Sequence, residues 1–250
     1  MPDVAVLTVH LHGEPIGTLT HLGGERSVFS FHDAYINASD RPMLSLNFKD
    51  RYGDLITEFR PTKRKLAPFF SNLLPEGPLR RYLSELAGIH EQREFFLLWV
   101  LGRDLPGAVT VEPADRDAWP SVRPIDEIRN ASTGKSHETA LRFSLAGVQL
   151  KFSAIADATG GLTIPASGVG GGWIVKLPSQ QYRGVPENEF SMMTLARMIG
   201  MNVPVIDLVD VKAIGNLPSG VDRLGDKAFI IERFDRRDDG ASVHISSYSC

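Results

Sequence analysis

Trp173-Ile-Val-Lys-Leu177, followed nine residues later by Pro186-Glu-Asn-Glu-Phe-Ser-Met-Met-Thr-Leu-Ala-Arg-Met-Ile199, decides how the second half of the chain is read. The first stretch is short, apolar and β-branched, which predicts a strand. The second places Phe190, Met193, Ala196, Leu195 and Ile199 at helical spacing, with Gly200 as C-cap and Pro204 just beyond. Working outward, Leu141–Leu145 and Gln149–Ile155 read as strands, with Ala146-Gly147-Val148 between them. Gly160, Gly161, Gly168 and Gly170–Gly172 form a glycine-dense loop. Downstream, Val205–Ile214 and Ala228–Phe234 read as further strands. Strands flanking a single helix predict a mixed α+β unit, not an alternating parallel sheet.

The first half reads as a second α+β unit. Val4–His10, Ile16–Leu22 and Ser27–Phe31 predict antiparallel strands, the first two joined by a turn at His12–Pro15. Arg60-Pro-Thr-Lys-Arg-Lys65 is the densest basic run; it reads as a solvated loop, with a phosphate-binding patch as the alternative. Leu79, Leu83 and Leu86 predict a helix ended by Gly88, and Glu94–Leu101 a second one closed by Gly102. Ala108–Val111 predicts a strand returning to the sheet. Pro113–Lys135 has linker composition. The domain reading is therefore residues 1–112, a linker over 113–140, and a second unit over 141–250.

The 250 residues carry 27 Lys plus Arg against 30 Asp plus Glu, a formal net charge of −3. That balance argues against a dedicated nucleic-acid binder, whose phosphate contacts need a basic surface. Hydrophobic residues make up 42%, enough to bury a core, which excludes disorder as the main state. The single cysteine, Cys250, allows neither an internal disulfide nor a cysteine-based zinc site. The first twenty residues lack a basic n-region, and runs such as Phe95–Leu101 are far shorter than a membrane span. The expectation is a soluble, cytoplasmic protein without a membrane partner.

Walker-type, dinucleotide-binding and His-Glu-x-x-His signatures are absent. His137-Glu138 is an isolated pair and the seven histidines are scattered, so no metal site is expected. Two features point to chemistry. Ser144-Leu-Ala-Gly-Val-Gln-Leu-Lys151 sets small and polar residues at a turn between strands, where backbone N–H groups can meet phosphate oxygens. Lys176, amid apolar strand neighbours, needs a partner, because an isolated buried ammonium is very costly. Glu189, in the first turns of the next helix, can supply it. A strand lysine held by a helix glutamate and aimed at phosphates is the arrangement of protein kinases. On the residues alone two bland readings stand beside this one: a snorkelling surface lysine, and a glutamate that complements the helix dipole.

Several segments resemble HipA-type toxin kinases. In the first half they are Phe69-Phe-Ser-Asn-Leu-Leu-Pro-Glu-Gly77 and Leu101-Gly-Arg-Asp-Leu-Pro-Gly-Ala-Val109. In the second they are Phe143-Ser-Leu-Ala-Gly-Val-Gln-Leu-Lys-Phe-Ser-Ala154, Trp173–Pro178, Glu187-Asn-Glu-Phe190 and Ile231-Glu-Arg-Phe-Asp-Arg-Arg237. The resemblance runs from about Val4 to about His244. It implies an N-terminal HipA subdomain followed by a kinase-like N-lobe, in an ATP- and Mg²⁺-dependent bacterial Ser/Thr kinase. It also implies a type II toxin–antitoxin system with a DNA-binding HipB antitoxin, DNA being reached only through that partner. Aminoacyl-tRNA synthetases are the family's substrates.

By the same resemblance, Ala146, Gly147, Val148, Gln149, Leu150 and Lys151 form the phosphate-binding loop. Lys176 contacts phosphate and Glu189 is its partner. Glu232, Arg233 and Phe234 form the hinge that receives adenine, with Asp235 beside the nucleotide. Ser144 is the autophosphorylation position. The family's catalytic aspartate and Mg²⁺ ligands lie beyond the hinge, and only 13 residues follow Arg237, the last of them losing the family pattern. The expectation is thus a fragment, truncated before the helical C-lobe, with no catalytic or metal residue, weak or no ATP binding and no kinase activity. The alternative expectation is a non-catalytic module that binds an antitoxin or a separate kinase subunit.

Overall fold

The computed structural model describes residues 5–63, 65–115, 150–156, 161–165, 171–179, 182–217, 221–237 and 241–245. They form two compact units. The first comprises residues 5–75, 84–115 and 235–245; the second comprises residues 76–83 and the described residues of 150–234.

The first unit is built on an antiparallel sheet of order β4-β3-β2-β1-β5. Its strands are β1 (Val6–Leu11), β2 (Glu14–His21), β3 (Arg26–Phe31), β4 (Thr62–Lys63) and β5 (Val109–Pro113). In β1, Leu7, Val9 and Leu11 are fully buried while the residues between them are not, the two-residue period of a half-buried strand. The register sets Leu7 opposite Leu19, Leu19 opposite Phe29 and Val9 opposite Val111, which concentrates apolar side chains on one face. Against that face pack α1 (Asp33–Asn37), α2 (Pro68–Asn72) and α4 (Glu94–Leu101). Phe95 to Trp99 of α4 are all buried, as expected of a helix apolar on every side. Phe29, Phe31, Phe48, Phe59, Phe69 and Phe70 form a connected ring cluster; the Phe29–Phe31 pair has centroids 4.7 Å apart in an edge-on arrangement. The helix α3 spans Gly77–Ala87.

Residues 235–245 belong to this first unit. They double back on themselves: the Val243 amide donates to the Asp235 carbonyl, the Arg237 amide donates to the Ala241 carbonyl, and Arg236 bridges Ser242.

The second unit carries a sheet of order β10-β7-β6-β8-β11-β9. The strands are β6 (Lys151–Ala156), β7 (Leu162–Thr163), β8 (Trp173–Lys176), β9 (Ile206–Asp210), β10 (Ile214–Gly215) and β11 (Lys227–Glu232). All pairings are antiparallel except β7 with β10. One face carries Ala154, Val175, Ala228 and Ile230 into a core with Leu162, Leu177, Val211 and Ile214. The helix α5 (Val185–Met198) packs against β9 and β11.

The architecture is mixed α+β, as expected, and both long helices stop where glycine was expected to stop them: Gly88 and Gly200 have φ of 65° and 88°. Four local readings are corrected. The basic run is not entirely loop, because Thr62–Lys63 add to the sheet edge, where Ser27 Oγ and Thr62 Oγ1 lie 3.0 Å apart. The expected strand Val205–Ile214 breaks into β9, a 3-10 turn over Val211–Ala213 and β10, because β10 leaves β11 to pair with β7. The strand expected to run through Phe234 ends at Glu232, after which Arg233 bends to give its amide to the Gly172 carbonyl. On α5, Phe190, Met193 and Ala196 are half-buried but Leu195 and Ile199 are exposed, because the sheet covers only one narrow stripe of the helix. The predicted strand Leu141–Leu145 and the linker from 116 onward lie outside the described residues.

Candidate functional site

Lys176 ends β8. Its neighbour Val175 is fully buried on the core side, so alternation turns Lys176 to the opposite face. There it lies in register with Lys151 of β6 on one side and Phe229 of β11 on the other. Its Nζ sits 5.5 Å from the Phe229 ring centroid, within cation–π range. Because α5 packs on the neighbouring strands, Glu189 reaches this row: Glu189 Oε2 accepts from Lys176 Nζ at 2.5 Å. Both side chains are about three-quarters buried, at 27% and 24% exposure, so the pair is screened less than a surface ion pair. Lys151 stands directly across from Lys176, and like charges in that relation repel. Two ammonium groups and one carboxylate leave the row one positive charge in excess, which favours an anion.

Leu150, just ahead of β6, is tied back through its carbonyl, which accepts from the Leu177 amide at 2.9 Å. Ser144, Ala146, Gly147, Val148 and Gln149 lie outside the described residues. At the far end of β11, the Glu232 amide donates to the Val205 carbonyl at 2.8 Å and the Arg233 amide to the Gly172 carbonyl at 2.7 Å. The Arg233 side chain is buried and donates to Ser153 Oγ at 3.0 Å, so it braces β11 against β6. Phe234, by contrast, is 68% exposed.

The structure brings Lys151, Lys176 and Glu189 together on one sheet face. Asp235 falls in the first unit, where its Oδ2 accepts from the Gly107 amide and from Arg236 Nη1, each at 2.9 Å. Sequence reasoning did not single out Arg236 or Asp104 for any role, although both sit inside the quoted segments. A charged residue between glycines in Leu101-Gly-Arg-Asp-Leu-Pro-Gly107 was the available signal. Among the described residues no three His, Cys, Asp or Glu side chains converge to hold a metal ion, and no helix is long and apolar enough to cross a membrane.

Comparison with known proteins adds to this geometry. The model of the HipA N-terminal domain matches residues 7–112, and that of the HipA-like C-terminal domain matches residues 143–249. The chain is 58% identical over 251 residues to a Sinorhizobium fredii protein named "Putative kinase Y4dM", covering 100% of this chain and 60% of that protein. It is 30% identical over 193 residues to the serine/threonine-protein kinase toxin HipA of Shewanella oneidensis, covering 70% of this chain and 39% of the toxin. Among solved structures, it resembles a chain of the Shewanella oneidensis HipA, HipB and operator DNA complex. The TM-score is 0.59 at 25% identity, covering 93% of this chain and 51% of that one. The chain thus spans 60% or less of the length of these relatives. With one HipA domain model matched before residue 113 and the other from residue 143 onward, the chain belongs to the HipA family.

Proposed function

We propose that the second unit is the nucleotide-facing N-lobe of a HipA-type protein Ser/Thr kinase. In this reading Lys176, oriented by Glu189, contacts the phosphates of ATP, with Lys151 beside it, and the resemblance assigns Ala146–Lys151 to the phosphate-binding loop. The backbone at Glu232, Arg233 and Phe234 receives adenine. The observation that carries the reading is the 2.5 Å contact between strand Lys176 and helix Glu189 on a face with positive charge in excess. A lysine so held keeps its ammonium at a fixed place without spending binding energy on ordering a long side chain. Mg²⁺ would share the phosphate charge in a full kinase, but the described residues supply no group of three converging His, Cys, Asp or Glu side chains.

The chain spans 60% of the length of the Sinorhizobium fredii relative. From the resemblance to HipA-type toxin kinases the proposal extends to a role as toxin in a type II toxin–antitoxin pair, a HipB-like antitoxin as partner, DNA met through that antitoxin, an aminoacyl-tRNA synthetase as substrate and Ser144 as the autophosphorylated residue. The 250-residue chain alone is proposed to be catalytically silent, since phosphoryl transfer needs positioned metal and a base to orient the attacking hydroxyl.

Calorimetric titration with ATP tests the reading. The chain should bind ATP more weakly than micromolar, which corresponds to about 8.2 kcal/mol. Lys176→Ala should weaken binding at least about tenfold, the equivalent of one charge-assisted contact of ~1.5 kcal/mol. Equal binding by the variant overturns the role of Lys176. Tight, Mg²⁺-dependent binding, or robust phosphate transfer by this chain, overturns the claim that it is silent.

A further inference from the structure

A cleft of about 200 Å³ lies in the first unit, between the end of α1 and the 3-10 turn over Leu46–Phe48. Leu44, Phe48 and Leu55 give it apolar surface, and Arg41 and Lys49 give it positive charge. None of the described residues that line it is acidic. Its walls are fixed by bonds of their own. On one side, Arg41 Nη1 donates to the Ile36 and Ala38 carbonyls at the end of α1, each at 2.9 Å, and the Tyr35 hydroxyl donates to the Pro42 carbonyl at 2.5 Å. Burial raises the Tyr35 pKa from its ordinary 10.0, against the opposing pull of the Leu44 amide and of Arg41, so this hydroxyl keeps the proton it donates. On the other side, the Ile56 amide donates to the Phe48 carbonyl at 2.8 Å. Asp50 Oδ1 accepts from the Tyr52 and Asp54 amides at 2.8 and 2.9 Å, which holds the turn that leads to Leu55. Phe48 belongs to the buried ring cluster, so the apolar surface is rigid.

Arg41 carries five N–H donors, and the two carbonyls of α1 use only Nη1. Neither Arg41 nor Lys49 meets a carboxylate among the described residues. Two cations on a partly enclosed, half-apolar surface raise the local potential, and an anion relieves it. Size narrows the choice. A cavity of about 150 Å³ holds one benzene ring, and sites for drug-sized ligands run to roughly 300–1,000 Å³. The cleft lies between the two, with room for one ring and a small charged head. We infer that it binds a small organic anion, a carboxylate or phosphate monoester on a single apolar ring, with Arg41 and Lys49 meeting its oxygens and Leu44, Phe48 and Leu55 its ring. Charge-assisted bonds from a guanidinium fork suit either head. The site lies wholly within the first unit and does not depend on the nucleotide reading above.

The experiment follows backbone amide shifts of the full 250-residue chain by NMR during titration with benzoate, phenyl phosphate, inorganic phosphate and benzyl alcohol. Benzoate or phenyl phosphate should give saturable shifts at Ser39, Ser45 and Lys49, and whichever binds tighter names the head group. That ligand should bind at least about tenfold more tightly than inorganic phosphate, which lacks the ring, and than benzyl alcohol, which lacks the charge. Lys49→Gln removes the charge of an exposed side chain and should weaken binding at least about fivefold, while the amides of β1 to β3 keep their shifts. Lys49→Arg should restore most of the affinity, which a disturbed fold would not allow. Arg41→Gln should weaken binding as well; because Arg41 also ties down the end of α1, the Lys49 pair of variants decides. Equal binding of inorganic phosphate would leave only a charged surface and overturn the cleft as a site. Equal binding of benzyl alcohol would overturn the role of the two cations. The absence of any saturable shift at millimolar ligand, or shifts confined to Lys151 and Lys176 of the second unit, would overturn the proposal outright.

Discussion

Glu94 is the first residue of α4 and is only 2% exposed. It survives there because its oxygens are used: Oε2 accepts from the Leu66 amide at 2.9 Å and Oε1 from Ser71 Oγ at 3.0 Å. One side chain thereby joins α4 to the chain leading into α2. Glu94→Ala would strand a buried amide and a hydroxyl, each costing about 1–3 kcal/mol, and should destabilise the first unit by ~3 kcal/mol in urea unfolding. Glu94→Gln keeps an acceptor and should cost about half as much. A loss under ~1 kcal/mol for the alanine variant would contradict this account. The sequence placed Glu94 at a helix start but not in the core, because its partners lie 23 and 28 residues away. The Lys176–Glu189 pair, only 13 residues apart, was legible from local pattern: an ammonium among apolar strand residues, and a carboxylate one helical turn into the next element. Arg236 was not, since its partner Asp104 is 132 residues distant.

Element boundaries follow local chemistry, which is why α4 begins and ends at the residues the pattern gives and α3 stops at Gly88. Which face an element buries depends on what packs against it. On α5 the helical spacing groups Phe190, Met193, Ala196, Leu195 and Ile199 on an apolar face, and only the first three are half-buried. Met192, Leu195, Met198 and Ile199 stay exposed, Met198 to 79%, and Met201 and Val205 continue the exposed apolar surface past the helix. Six large apolar side chains exposed within fourteen residues favour association. Met198→Lys with Ile199→Lys should therefore lower the binding of an apolar dye and slow aggregation of the chain. Because neither side chain is packed, stability should shift by no more than about 0.5 kcal/mol, and the lysines suit a helix C-terminus. Unchanged dye binding, or clear destabilisation, would mean that this face is covered.

At the scale of the molecule, two cores share no buried cluster, and the first is much the richer in large side chains: Phe70, Leu7, Leu11, Ile16, Leu19, Leu44, Leu97, Leu98 and Leu105 are all nearly inaccessible. Buried area scales with stabilisation, so calorimetry should resolve two heat-absorption transitions, with the first unit melting at the higher temperature. His244 gives the upper transition a pH signature. Its Nε2 donates to the Leu44 carbonyl at 2.8 Å, its Nδ1 is buried without a partner, and the His12 ring lies 6.0 Å away. Burial pushes the His244 pKa below its ordinary 6.5, a displacement the Leu44 hydrogen bond opposes and the nearby His12 reinforces. The folded state therefore prefers the neutral ring. Above pH 6.5 both folded and unfolded rings are neutral and His244 leaves stability unaffected. As pH falls through 6.5 the unfolded ring takes up a proton that the folded ring resists, so stability is lost between 6.5 and the lower folded value. The upper transition should move down in temperature over that interval, and His244→Gln should flatten that movement while leaving the lower transition where it was. A single transition for the whole chain would overturn the division into separately stabilised units, and an acid shift that survives His244→Gln would place its origin elsewhere in the first unit.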